Sequence, residues 1–151
     1  MDIRQLGPDD AHAYRELRIE ASGDPAFASN PTVEAAISVD LLKQVLGAST
    51  PGEILGAFDN GELLGMVGLG SSEMSERGTL FGLFVTQARR SCGVGRALVR
   101  ALVSKVSSEP AISSLELLVD ASNTAAISLY RTEGFRAEKP DASPLRMSRA
   151  V

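Results

Sequence analysis

The sequence has too few cysteines to cross-link itself. Cys92 stands alone, so no disulfide can form within the chain, which agrees with a reducing compartment. With one histidine, His12, and no cysteine pair, it lacks the donors for a dedicated zinc site. No apolar run approaches the roughly 18 residues that cross a bilayer, and the opening MDIRQLGPDD lacks the basic-then-apolar order of a signal peptide. The expectation is a cytoplasmic chain without a membrane partner. Positive charge is not in surplus either: the formal net charge is -4 and the pI about 5.0. An acidic surface repels phosphate backbones, so no nucleic-acid partner is expected. Arg89, Arg90, Arg96 and Arg100 form one local basic cluster, too small for a nucleic-acid track but suited to a single compact anion. Repeats and low-complexity linkers are also lacking, so residues 1–151 read as one domain.

What is present is an alternation of strand-like and helix-like segments. The chain is 44% hydrophobic over 151 residues, enough to bury roughly two-thirds of its unfolded surface without a metal or disulfide. Residues 2–6 read as a short strand, and 9–21 as a helix carrying Tyr14, Leu17 and Arg18. The Gly-, Pro-, Asn- and Ser-rich stretch 22–31 reads as a loop. A second helix is predicted over 33–46, with Leu41, Leu42, Val45 and Leu46 as its stripe. Residues 53–58 and 62–70 flank Asp59-Asn60-Gly61 and predict an antiparallel hairpin. TLFGLFV, residues 79–85, is a nearly continuous apolar strand, as expected where helices cover both sheet faces. A helix over 94–106, a strand over 114–119 and a helix over 124–132 follow. Gly134 ends the last helix, and LRM supplies a short final strand.

Chemistry concentrates between TLFGLFV and the helix after it. The linking segment contains Arg90-Ser91-Cys92-Gly93-Val94-Gly95-Arg96. A helix start exposes amides without internal partners, and its dipole favours an anion. Gly93 and Gly95 remove Cβ atoms that would hold a phosphate away and permit angles other residues resist. Arg90 and Arg96 can add charge-assisted bonds. The segment lacks the Gly-Lys-Ser/Thr of a P-loop, and Leu98 stands where a dinucleotide fold wants its third glycine. A tight turn whose glycines serve packing alone is the alternative. In LLVDASNTAAISLYRTEGFR, residues 117–136, Asn123 can cap the helix. Ala126 and Tyr130 share one of its faces, so a slender ligand can lie on Ala126 with the Tyr130 hydroxyl beside it.

Together these segments resemble the GCN5-related N-acetyltransferase (GNAT) superfamily, most strongly over residues 79–135. Arg90, Gly93 and Gly95 match the family's Arg/Gln-x-x-Gly-x-Gly/Ala loop. Asn123, Ala126, Leu129-Tyr130 and Gly134-Phe135 match its later segment. More loosely, Leu17-Arg18 and Pro25-Ala26-Phe27 resemble an early helix and loop of some members. The resemblance implies an α/β acyl-CoA N-acyltransferase fold, a mixed central sheet of about six or seven strands with helices on both faces. It implies acetyl-CoA as co-substrate between two parallel strands, 79–85 and 114–119, that splay apart. Cofactor contacts then fall to Leu83, Phe84, Val85, Arg90, Ser91, Cys92, Gly93, Val94, Gly95, Arg96, Asn123, Ala126 and Tyr130, and no metal is needed. Tyr130 becomes the catalytic group that protonates or hydrogen-bonds the departing thiolate. The acceptor becomes a primary amine of a small molecule, peptide or protein, with Tyr14, Arg18 and Phe27 as candidate borders of its pocket.

The general base stays open. Thr79 stands where some members place a glutamate, and Glu73 or Glu76 can act through water, be solvated surface groups, or be bypassed by a water chain. His12 reads as a surface residue, and Cys92 has no nearby histidine to activate it as a nucleophile. A different acyl-CoA, or an acyl-CoA-binding module without turnover, remains the alternative function. The short tail after Gly134-Phe135 suggests an abbreviated last strand or a homodimer that completes the sheet edge.

Overall fold

Asn60 and Gly61 both take left-handed backbone, with φ of 51° and 79°. That conformation reverses the chain in two residues and joins β2 (Glu53–Asp59) to β3 (Glu62–Ser71) as an antiparallel hairpin. The computed structural model describes residues 1–25, 27, 29–48 and 53–151. Ala26 of the early family-like segment lies outside the described residues. The hairpin sits in a seven-stranded sheet with β1 (Asp2–Gln5), β4 (Arg77–Val85), β5 (Ser114–Val119), β6 (Arg136–Ala137) and β7 (Leu145–Ala150). The strand order is β1-β2-β3-β4-β5-β7-β6. Neighbours are antiparallel except β4 and β5, which are parallel. The sheet is thus mixed and the chain α/β, as the sequence predicts.

Alternation along the strands divides the core between the two faces. Leu64, Val67, Leu80, Leu115 and Leu117 pack with Leu98, Val99, Leu102 and Val106 of α4 (Val94–Ser107) and with Ile127 and Tyr130 of α5 (Thr124–Thr132). Ile54, Phe58, Leu63, Met66 and Phe84 face the other way. They pack with Tyr14, Leu17 and Ala21 of α1 (Ala11–Ser22) and with Leu42 and Leu46 of α3 (Val39–Gly47).

Four expectations need correction. The helix predicted over 33–46 is two: α2 (Pro31–Ala36), then an extended Ile37, then α3. Ser38 causes the break, since its side chain accepts the Leu41 amide at 3.1 Å and starts a new helix. The first helix starts at Ala11, after a 3-10 turn over Pro8–Asp10 in which the Asp10 carboxylate accepts the Gly7 amide at 2.8 Å. Helices do not cover all of β4: Leu80 and Phe84 are buried, whereas Phe81 is 42% exposed. The last strand is not abbreviated, because β7 pairs with β5 along all six of its residues and only β6, at the sheet edge, is short. Among the described residues, no helix is long and apolar enough to cross a membrane.

Candidate active site

The parallel ladder between β4 and β5 is brief. Arg77, Gly78 and Thr79 pair with Ser114, Leu115 and Glu116, and there the pairing stops. β5 continues against β7 as far as Val119, while β4 continues against β3. A bulge bends β4 away: Gly68 opposes Phe81 and Met66 opposes Phe84, so Gly82 and Leu83 together face Val67. Gly82 has φ of 62°, a left-handed angle that only glycine takes without strain. The strands therefore splay as expected, and between them opens a cleft of about 1140 Å³. It runs through the sheet, from the start of α4 on one face to α1 and α2 on the other. Past Thr79, the facing edges of β4 and β5 have no ladder partner in each other, leaving backbone groups for an extended ligand.

The loop from Arg90 forms one end of the cleft. Ser91 and Gly93 both have left-handed φ, 62° and 82°, which coils the backbone into a small concavity before α4. The first helical hydrogen bond runs from the Ala97 amide to the Gly93 carbonyl at 3.0 Å. The amides of Val94, Gly95 and Arg96 thus face out of the helix start. The two glycines differ in role. Gly93 supplies the left-handed angle, but Gly95 is helical, and a Cβ there would lie 3.4 Å from Leu129. Gly95 keeps the surface low and does not supply an unusual angle, contrary to the expectation for both.

The nearby arginines are already positioned. Arg90 donates to the Val85 carbonyl (3.1 Å) and to Asp24 (3.4 Å), with its guanidinium 5.2 Å from the Phe84 ring centre. Arg96 and Arg100 share the Glu133 carboxylate at 2.6 and 3.1 Å. Burial pushes the Glu133 carboxyl up, but hydrogen bonds from Arg96 and Arg100 outweigh it and hold it below the usual carboxylate range. Two cations on one anion leave net positive charge beside the amide cradle. Arg89 pairs with Asp59 at 2.9 Å. Cys92 is exposed, donates to the Arg90 carbonyl at 3.6 Å and does not line the cleft.

Leu83, Phe84, Val85, Asn123, Ala126 and Tyr130 all line the cleft. Asn123 caps α5 by accepting the Ala126 amide at 3.2 Å. Tyr130 is 6% exposed and meets Phe135 edge-on at 5.9 Å between ring centres. Its hydroxyl has no hydrogen-bond partner among the described residues, and burial pushes its pKa up to about 12. Like any phenol it is protonated at neutral pH, and burial keeps it so well into the alkaline range; it lines the cleft as a donor. Thr79 lines the cleft too. Glu73 and Glu76 are exposed and do not. Glu76 instead forms a turn with φ of 65°, its carbonyl accepting the Ser113 amide at 2.8 Å. His12 is exposed and away from the cleft.

Tyr14, Arg18 and Phe27 meet at the opposite end of the cleft. Arg18 grips Glu34 through two bonds of 2.9 Å and donates to the Tyr14 hydroxyl at 3.0 Å. Its guanidinium lies 5.9 Å from the Phe27 ring centre. Burial pushes the 3% exposed Glu34 carboxyl up, but hydrogen bonds from Arg18 and Ser29 hold it low. Sequence reasoning missed Glu34, because its partner lies sixteen residues away on another helix. It also missed Glu116, which accepts from Ser72, Arg77 (3.1 Å), Arg146 (2.5 Å) and Thr79 (3.5 Å) where β4 and β5 part. The only sequence signal for Glu116 is a carboxylate inside the apolar run SLELLV.

The family model described as Acetyltransferase (GNAT) family matches residues 15–135. Among curated proteins, no sequence relative matches. An acetyltransferase of the GNAT family from Streptococcus pneumoniae superposes with a TM-score of 0.87 at 20% identity, covering 99% of each chain. PaiA N-acetyltransferase from Thermoplasma acidophilum, solved with coenzyme A, has a TM-score of 0.81 at 23% identity, covering 99% of this chain and 98% of its own. The putative acetyltransferase YncA from Salmonella typhimurium, solved with acetyl-CoA, has a TM-score of 0.76 at 19% identity, covering 99% and 93%.

Proposed function

We propose that this chain, which belongs to the GNAT acetyltransferase family, transfers an acetyl group from acetyl-CoA to a primary amine by direct attack within a ternary complex. The observation that carries this reading is the parting of β4 and β5 after Thr79, which joins an amide cradle, a free strand edge and a protonated tyrosine in one passage through the sheet. Coenzyme A chemistry fits these parts. Its diphosphate suits the outward amides of Val94, Gly95 and Arg96, with Arg90 and Arg96 adding charge. Its extended, amide-bearing arm suits the open edge of β4 near Leu83 and Val85.

Acetyl-CoA supplies a thioester carbonyl open to nucleophilic attack. The chain's part is to orient and to stabilise charge. A backbone amide on the bulged segment of β4 faces the developing oxyanion. Tyr130, a protonated phenol at neutral pH, donates toward the leaving sulfur. The amine enters from the α1–α2 face, beside Arg18 and Phe27, and sheds its proton to water; Glu73 and Glu76 lie outside the cleft, and Glu34 and Asp24 within it are paired with arginines. Every residue assigned a role comes from one chain.

The test measures acetyl-CoA binding by calorimetry and thiol release against a panel of amines. Binding with amine-dependent release supports the enzyme, and absence of binding removes the reading. A non-catalytic acyl-CoA-binding module is the second reading, favoured by the distance of Glu73 and Glu76 from the cleft. It predicts tight binding and no thiol release with any amine.

A further inference from the structure

The cleft is chemically asymmetric, and the asymmetry bears on the acceptor. At the α4 end the lining is cationic and rich in free amides. At the opposite end three large apolar side chains stand open to water: Val33 (51% exposed), Phe81 (42%) and Leu118 (58%). The described chain has seven such exposed large apolar residues, and three of them converge on this one end. Sheet geometry puts them there. Leu117 and Val119 pack toward α4 and α5, so Leu118 between them points to the amine side. Phe81 likewise points opposite to Leu80 and lies over Gly68, where a Cβ would come within 2.4 Å of its ring. A side chain at position 68 would displace that ring; the glycine lets it lie flat as an apolar floor.

Of the three carboxylates lining the cleft, Asp24 and Glu34 are paired with arginines. Both oxygens of Glu34 are held by Arg18. Asp24 accepts from Arg90 at 3.4 Å. Asp120 is exposed at the cleft's edge and accepts the Ser122 amide and hydroxyl at 2.8 and 2.7 Å through one oxygen, so its charge stays in water. A substrate with a second ammonium group gains nothing by covering Phe81 and Leu118, because an ammonium taken out of water needs a partner, and Glu34 can serve it only by giving up Arg18.

We infer that the acceptor is a primary monoamine carrying a hydrocarbon body, an alkyl chain or aryl ring, and that Phe81 and Leu118 select it over di- and polyamines. This rests on the transferase reading and names the substrate class of the same site. The amine nitrogen points into the parting of the strands toward the thioester, and the hydrocarbon covers Phe81 and Leu118.

The experiment measures kcat/KM for straight-chain amines from ethylamine to hexylamine, with butane-1,4-diamine and spermidine alongside. Intrinsic basicity is nearly constant along the alkyl series, so the trend reports burial. The expected result is a rise of about 4-fold per methylene until the pocket is filled, with butylamine at least 10-fold better than butane-1,4-diamine by the same reasoning. Leu118→Asp, at an exposed position, should flatten the series and narrow the gap to the diamine. A flat or falling series, or a diamine or spermidine preferred by the unaltered protein, overturns the inference. If acetyl-CoA binds but no amine turns over, this inference falls while the cofactor site stands. If acetyl-CoA does not bind, both fall.

Discussion

Replacing Tyr130 with Phe removes one oxygen and little else. The ring keeps its edge-on contact with Phe135 and its place among Ile127 and Val119. No described residue bonds the hydroxyl, so no protein donor or acceptor is orphaned. Stability should change by less than about 1 kcal/mol, which for a domain of this size shifts Tm by roughly 3 °C or less. The kinetic cost should be far larger. A positioned proton donor is worth about 10²- to 10⁴-fold, or about 2.7 to 5.5 kcal/mol of barrier. The raised phenol pKa of about 12 adds a second expectation. The acid form is the neutral one, so Tyr130 remains competent at all pH values below that, and kcat should show no alkaline limb from it up to about pH 11. The assay is thiol release at saturating amine, paired with calorimetry for acetyl-CoA. A Tyr130→Phe kcat within threefold of the unaltered protein, with binding intact, would refute the role.

Other expectations follow from the same geometry. Gly93→Ala puts a Cβ on a residue with φ of 82° but meets no atom within 4 Å. The cost is strain alone, about 1–2 kcal/mol, read as a lowered Tm in thermal melts. Arg90→Ala should weaken acetyl-CoA binding about 10-fold, the loss of one half-exposed charge-assisted bond, and make the affinity less sensitive to salt; calorimetry at two ionic strengths checks both. Glu34→Ala leaves the partly buried Arg18 without its counter-ion and should cost about 3 kcal/mol, a Tm fall of about 6–12 °C. Glu34, Glu116 and Glu133 are all held below the ordinary glutamate value of 4.5. Their contribution is therefore complete above that pH and lost as pH falls through the lower folded values. Glu116→Gln should make acid unfolding, followed by circular dichroism, shallower.

Much of the site was legible because its physics is local. Arg90, Gly93 and the helix after them form one continuous segment, and an amide cradle needs nothing from elsewhere in the chain. Asn123 and Ala126 lie within one helical turn, and their capping bond follows from spacing alone. The Ser38 break was also local, and its signal was a serine ahead of Leu41 that a single apolar stripe obscured.

Other features depend on residues distant in sequence. Glu34 acquires its meaning only when α2 lies against Arg18, and Glu116 only when Ser72, Arg77 and Arg146 arrive from three other parts of the chain. Nothing in TLFGLFV marks Phe81 as exposed, because a continuous apolar run does not show which residue faces the opening where β4 leaves β5. Periodicity, turn chemistry and capping act over a few residues, and so the sequence by itself determined the order of elements and the cradle at the start of α4. The width of the cleft, the pairing of its carboxylates and the apolar end that faces the amine were decided only in three dimensions. They arise where segments far apart in the chain are packed together and a parallel ladder ends after three residue pairs.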